Sequence, residues 1–541
     1  MPVKRARDDQ RPLGVVYTPS EVARPMVRLA LDPLITGKRA DEILALRICD
    51  PAIGEGAFLV EVIDVLADAL VERGLERGEA RRQLAQRCVH GADVDRRAVE
   101  AARAATGAPA SALRVGDALA IDWHHARFDA VVANPPYVRQ EWLADKARLR
   151  QLASYDGVAD LYVYFIELAN RLLRDGGRYC LIVPSKWLTV AYGEKLRTFL
   201  AETASVDGVA DLSRAPLFAG ADAFPCIVWG TRRVRAADAP PTVRAVRASP
   251  ELSVARALAG GDDLPRARWG AGPWHLDRGS ERALLERLER ELPRLGDVVA
   301  GRPSRGVVTG CNRAFVIDGA QRAALLAREP AAAPLIRPFV KGRDVRRWRH
   351  HDAGRFILLV DRGTCLDELP HLTAHLAQFR PQLEPRPVNH AGAWAGRKPG
   401  SYRWHELQDP VGPLVKARAP RLLYQDIQTQ PACSLDRDGD VVPDTTVWML
   451  PTDDLALLAV LNSPLYGWYA RRRFPPALNG AVRPKLAYLT ALPVPAWSDA
   501  ERAAIVVLVT RRLAGDESGE PAIARAVADA YRLSAAERAL I

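Results

Sequence analysis

Phe128-Asp129-Ala130-Val131-Val132-Ala133 runs directly into Asn134-Pro135-Pro136-Tyr137, and these ten residues decide the reading of the fold. The first six predict a buried apolar strand. The next four predict a stiff turn, because two prolines fix φ and Pro135 pushes Asn134 toward extended backbone. A rigid turn after such a strand holds an amide and an aromatic ring at the carboxyl edge of a sheet, where open α/β sheets bind ligands. The Asn134 amide oxygen and the Pro135 carbonyl side by side suit an NH2 group on a planar ring. The face of Tyr137 suits stacking on that ring. Alone, the tetrapeptide fits an ordinary strand and Asn-Pro turn equally well, so its neighbours must decide.

Upstream, Arg47-Ile48-Cys49 predicts a short strand. It enters Asp50-Pro51-Ala52-Ile53-Gly54-Glu55-Gly56-Ala57-Phe58, a turn that opens a helix. Gly54 and Gly56 let the backbone turn tightly and approach a ligand. This is not a dinucleotide fingerprint: Leu59 stands at the third glycine position, and the next strand-end acid, Asp93, lies well beyond the expected ~20 residues. No Lys-Ser/Thr pair follows, which excludes a nucleotide-phosphate loop. A glycine turn of this kind suits a nucleoside-like ligand without phosphates. Residues 88–92 predict a second strand ending at Asp93, whose carboxylate suits two ribose hydroxyls. Residues 112–115 predict a third, ending at Gly116-Asp117, where a carboxylate suits an adenine amine. Ahead of all these, Thr18 reads as a helix N-cap, with Pro19 at the first helical position and Glu21 at capping-box distance. A helix N-terminus there suits a carboxylate ligand. Each feature is common; the ordered set is specific.

Downstream, residues 138–158 are polar and irregular, and predict a mobile loop. Asp160-Leu161-Tyr162-Val163-Tyr164-Phe165 starts a helix that Gly176-Gly177 should cap. A strand over 178–183 follows, then a closing hairpin near 220–230. The composition shifts to Arg, Ala and Pro after Thr231. The expected organisation is a catalytic domain over 1–245, with its first helix at 14–30, and a linker over 246–275. A mixed, less regular domain follows over 276–497, then a tail of two amphipathic helices over 498–541. In that second domain basic and aromatic residues interleave around Lys341, Arg343, Arg346 and Arg347, around Arg397 to Trp404, and around Arg471, Arg472 and Arg473, with Lys485 beyond. Such a surface suits phosphate contact and base packing.

The 541 residues carry a net charge of +11, which favours a polyanionic partner. The seven cysteines are scattered without a C-x-x-C pair; this argues against a zinc site and for a reducing, cytoplasmic setting. No apolar run reaches the ~18 residues of a membrane span, and no signal peptide is evident. No metal is expected.

Taken in order, Tyr17-Thr18-Pro19, Asp50-Pro51-Ala52-x-Gly54-x-Gly56-x-Phe58, Gly91-Ala92-Asp93-x-Asp95, Gly116-Asp117 and Asn134-Pro135-Pro136-Tyr137 resemble the amino-group DNA methyltransferases. The order of the parts is that of the gamma class, and the TaqI-type adenine-N6 enzymes, including type IIG modification halves, are the most similar. The match covers most of 14–230. Ile336 to Val345, Val460-Leu461-Asn462-Ser463 and Arg483-Pro484-Lys485-Leu486 resemble the two ends of that family's target-recognition domain. The resemblance implies an α/β, Rossmann-like S-adenosylmethionine-dependent domain followed by a mixed α+β recognition domain. It implies that Thr18, Asp50, Ala52, Gly54 and Gly56 hold the methionine end of S-adenosylmethionine, Asp93 the ribose and Asp117 the adenine amine, with Phe165 packed on that adenine. Asn134 and the Pro135 carbonyl would hold the target N6 amine of a base flipped from duplex DNA. Pro136 keeps the turn stiff, Tyr137 stacks on the base, and Phe218, or else Phe224, faces its other side. Type IIG enzymes carry a nuclease before the Thr-Pro helix, and only about a dozen residues precede it here. The expectation is a methyltransferase whose nuclease or defence-system partner, if any, is a separate chain. Glutamine-N5 protein methyltransferases and guanine-N2 rRNA methyltransferases share the Asn-Pro-Pro-aromatic turn and are the alternatives. A DNA-binding subunit with a vestigial cofactor fold is the alternative of another class.

Overall fold

The computed structural model describes residues 18–541, except 124–126, 144–145, 204, 214–223, 234–237, 248–252, 278, 391 and 478–479. Phe218 therefore lies outside the described residues. The chain divides into two compact units, Met1–Leu276 and Asp277–Ile541.

The first unit is built on a nine-stranded sheet. Its strands are β1 Ile48–Asp50, β2 Val89–Asp93, β3 Leu113–Val115, β4 Phe128–Ala133, β5 Leu173–Pro184, β6 Val206–Asp211, β7 Pro225–Thr231, β8 Thr242–Arg247 and β9 Asp262–Pro265. Their order is β3-β2-β1-β4-β5-β7-β6-β8-β9. The first five are parallel, and β7 runs antiparallel to both β5 and β6. Strand β4 is apolar except for Asp129 near its start, because both its faces are covered from Ala130 on. Ala130 and Val132 join a core with α1 (Ser20–Ile35) and α3 (Ala57–Val71), with α2 (Ala40–Leu44) between them in the chain. Phe128, Val131 and Ala133 join the opposite core, with Tyr162, Val163 and Ile166 of the helix Tyr162–Leu172.

Three expectations change here. The segment 246–275 is not a linker: a helix over Val254–Ala259 and strand β9 lie within it, and β8 and β9 complete the sheet's edge. The helix after Asp160 is not capped by Gly176-Gly177. It ends at Leu172, and Gly176, at φ 73°, lies within β5, where the β4–β5 register shifts. The stretch 138–158 contains two short 3-10 helices and is pinned by the buried Glu167, whose carboxylate accepts from the backbone N–H groups of Ala153 (3.0 Å) and Ser154 (2.7 Å).

The second unit carries two four-stranded sheets, one of them pairing Ser304–Arg305, Val447–Leu450, Arg421–Gln425 and Cys433–Asp436 in that order. The expected C-terminal tail is part of this unit: Ile505, Val509, Ile523, Val527 and Tyr531, from helices Asp499–Leu513 and Glu520–Ala530 and the residue after them, share a core with Trp348 and Tyr424. Among the described residues no helix is long and apolar enough to cross a membrane.

Candidate active site

Strand order reverses at β1, which lies between β2 and β4. The carboxyl ends of β1 and β4 therefore flank a topological switch point, the usual ligand crevice of an open parallel sheet. Asp50 ends β1 and Asn134 follows β4.

Asp50 is fully buried. Its Oδ1 accepts from the Ala52 N–H at 2.9 Å, while Oδ2 is buried without a hydrogen bond. Burial pushes this carboxyl up to about 8; the Ala52 N–H opposes the shift and the charge of Asp93 adds to it. The glycine turn then runs into α3. Gly56 stands at the helix's N-cap with φ 92°, a conformation open to glycine at little cost. The turn is tied to the next strand, because Asp93 Oδ2 accepts from the Gly54 N–H at 2.9 Å and Oδ1 from the Asp95 N–H at 2.9 Å. Gly91, beside Asp50 in the β1–β2 register, has no room for a Cβ, which would run into the Asp50 carbonyl oxygen and the Ile53 side chain.

Asp117 ends the series of acids. Its Oδ1 accepts from the Leu119 N–H at 2.9 Å, and Oδ2 pairs with Arg148 from the 3-10 helix Ala147–Gln151. Sequence reasoning missed Arg148, since nothing distinguishes it from the other arginines of that polar stretch. Phe165 is buried on its helix, in the same core as β4.

Thr18 is not the cap of α1. Pro19 occupies that position without a side-chain cap, and Ser20, the first helical residue, donates to the buried Glu61 at 2.5 Å. Thr18 is itself buried, and its Oγ1 accepts from Asn134 Nδ2 at 3.0 Å. The segment before α1 thus meets the turn after β4. Tyr137 packs edge-on against Tyr162, with ring centroids 6.4 Å apart and planes at 72°, and its hydroxyl reaches the Ile182 carbonyl at 3.4 Å. The Phe224 carbonyl accepts from the Ser185 N–H at 2.7 Å.

The basic residues expected to face DNA divide. Arg343, Arg346, Arg471 and Lys485 are exposed and Lys341 is partly so. Arg347 pairs with Glu520 at 2.8 Å. Arg472 and Arg473 turn inward, contrary to expectation. Arg472 lies over Trp468 (4.3 Å) and pairs with Glu281; Arg473 pairs with Asp277 and, at 2.5 Å, with Glu289. Their acid partners lie nearly two hundred residues upstream, out of reach of a local reading.

Residues 112–218 match the family model of the Eco57I restriction-modification methylases. The type II methyltransferase M.XhoI of Xanthomonas vasicola is 28% identical, over 98% of this chain and 98% of its own. The type II methyltransferase M.PaeR7I of Pseudomonas aeruginosa is also 28% identical, over 90% and 86%. Among solved structures, the type IIL restriction-modification enzyme MmeI in complex with DNA shares the fold with a TM-score of 0.63 and 14% identity, across 96% of this chain and 76% of that one. The segment matched by the family model contains the third strand, Asp117 and the whole Asn134–Tyr137 turn, and the likeness to type II methyltransferases runs through both units. The chain is thus similar to the Eco57I restriction-modification methylases over residues 112–218 and to type II methyltransferases along most of its length.

Proposed function

We propose that this chain is a site-specific type II DNA methyltransferase that moves a methyl group from S-adenosylmethionine to adenine N6 in duplex DNA, as the modification part of a restriction-modification or phage-defence system in the cytoplasm. The observation that carries the reading is the meeting of Thr18 with Asn134, which joins the expected cofactor segment to the expected catalytic turn.

The residues fit the cofactor. Asp50 Oδ2 is a buried acceptor lacking a donor, and an ammonium group beside the glycine turn would supply one. Asp93 and Asp117 each keep acceptor capacity beyond the bonds described. When bound, S-adenosylmethionine supplies an electrophilic methyl on a sulfonium.

The chain's own contribution is orientation. The Asn134 Nδ2 bond to Thr18 fixes the plane of the amide and directs Oδ1 away from Thr18. Oδ1 and the Pro135 carbonyl then accept the two N6 hydrogens. Adenine N6 is a poor nucleophile because its lone pair is delocalised into the ring; two acceptors set for a tetrahedral nitrogen draw the lone pair out and aim it at the methyl. As the N–CH3 bond forms, the S–CH3 bond electrons would stay on sulfur, so a neutral thioether leaves, and the surplus proton on N6 passes to water. Stacking on Tyr137 offsets part of the few kcal/mol that flipping costs.

The test is transfer of tritiated methyl from S-adenosylmethionine to unmethylated duplex DNA, followed by nucleoside analysis. N6-methyladenine is the expected product. Label confined to protein or RNA, or recovered as another base, would overturn the reading.

A further inference from the structure

One face of the second unit carries a row of side chains across three strands. Arg305 stands opposite Trp448, and Trp448 opposite Tyr424. The two rings are stacked at 9°, centroids 6.4 Å apart, and the Arg305 guanidinium lies 5.9 Å from the Trp448 ring centre. Asp426, just past the strand of Tyr424, is only 5% exposed. It accepts from Trp448 Nε1 at 3.0 Å and from Arg483 Nη2 at 2.5 Å, with Arg305 Nη2 at 3.9 Å. Arg305 Nε is also fixed, donating to the Thr445 carbonyl at 2.7 Å. Burial works to raise the Asp426 carboxyl, but its bonds to Trp448 and Arg483 and the two positive charges outweigh it and hold the group below the usual carboxylate range. The ionised carboxylate thus holds Arg483 and lies beside Arg305, whose Nε the Thr445 carbonyl fixes, and the two guanidinium groups keep 36% and 48% of their side-chain surface exposed.

A phosphate contact needs only net charge and reach. This cluster cancels half its charge and fixes the planes of both guanidinium groups, an arrangement suited to a flat partner offering two acceptors in a line. In duplex DNA that partner is the N7/O6 edge of guanine in the major groove. We propose that Arg305 and Arg483, positioned by Asp426 beside Trp448, read guanine edges and set the sequence this chain methylates. The proposal rests on the reading of the chain as a DNA methyltransferase.

The experiment expresses the full-length wild-type chain, Arg305→Ala, Arg483→Ala, Arg483→Lys and Asp426→Asn in cells without other methylation, and reads the methylated motif by single-molecule sequencing. The wild-type motif should contain G·C pairs. Each arginine-to-alanine variant should lose its preference at one of them, with discrimination against the substituted site falling about 10- to 100-fold. Arg483→Lys should fail to restore it, and Asp426→Asn should blur both positions. S-adenosylmethionine affinity, unchanged in every variant, reports a folded catalytic unit. An unaltered motif with methylation reduced evenly at all sites would make these phosphate contacts and overturn the proposal. So would a wild-type motif without G·C pairs, or variants identical to wild type. A wild-type chain that binds S-adenosylmethionine and methylates no DNA would overturn the underlying reading, and this proposal with it.

Discussion

Asn134 Nδ2 donates to Thr18 Oγ1 at 3.0 Å across 116 residues of chain. The contact makes the orientation of the Asn134 amide depend on the segment that precedes the first helix. Asn134→Ala is expected to lower methyl transfer by at least about 10²–10³-fold, as for loss of a positioned transition-state partner, while S-adenosylmethionine affinity stays within a few-fold. Thr18→Val removes one hydrogen bond, worth about 0.5–1.5 kcal/mol, and should reduce kcat about 2- to 10-fold. Equal loss of binding and turnover in Asn134→Ala would assign the turn a structural role.

Asp50 should make both stability and cofactor binding depend on pH. Its folded-state value, about 8, lies above the ordinary 3.8, so between those values the folded protein binds more protons than the unfolded chain. Its contribution to stability is then complete below about pH 4 and is lost as pH rises through 8. Asp50→Asn should flatten that slope in denaturant titrations. If Asp50 meets the ammonium of S-adenosylmethionine, binding near pH 7 should release a proton, seen as a dependence of calorimetric heat on buffer ionisation enthalpy. Asp50→Asn should abolish this Asp50-linked release.

Asp117 divides its carboxylate between the Leu119 N–H and Arg148. Asp117→Ala is expected to weaken S-adenosylmethionine binding about 10- to 100-fold, the loss of one hydrogen bond to a charged group. Arg148→Ala should tighten it a few-fold if Asp117 meets the cofactor's adenine, which would then no longer share the acceptor. Because this ion pair is partly exposed, its removal should change unfolding stability by no more than about 1 kcal/mol. Weaker binding in Arg148→Ala would make the arginine a ligand rather than a competitor.

Arg473 separates fold from function in the second unit. Arg473→Ala removes the ion pairs of Arg473 with Asp277, 1% exposed, and with Glu289, and should cost about 3–5 kcal/mol of stability. Arg343→Ala and Arg346→Ala, both at exposed positions, should instead spare stability. Each should reduce the salt dependence of DNA binding by about one phosphate contact, a slope change of about 0.9. An unchanged slope would move the backbone contacts elsewhere.

What could be read ahead of the structure follows a physical pattern. Asp50, Asp93, Asp117 and Asn134 each follow a short apolar run, so strand and strand-end chemistry lie within a few residues of each other and the sheet brings them to one edge. Features that depend on distant partners could not be read. Asp277 and Glu289 decide that Arg473 turns inward, and Asn134 decides what Thr18 does. Strand β9, Asp262-Asp263-Leu264-Pro265, shows neither alternation nor β-branched residues. It is a strand because β8 offers it an edge, and no local pattern records that offer.

The placement of β8 and β9 bears on how such chains are recombined. A chimaera cut at residue 246, where the expected linker begins, would sever β8 before Arg247 and strip β9 from the sheet, leaving the backbone of β8 open to pair with other chains. Cut between Leu276 and Asp277, the donor keeps its whole sheet, and the second unit can be exchanged as one inheritable module.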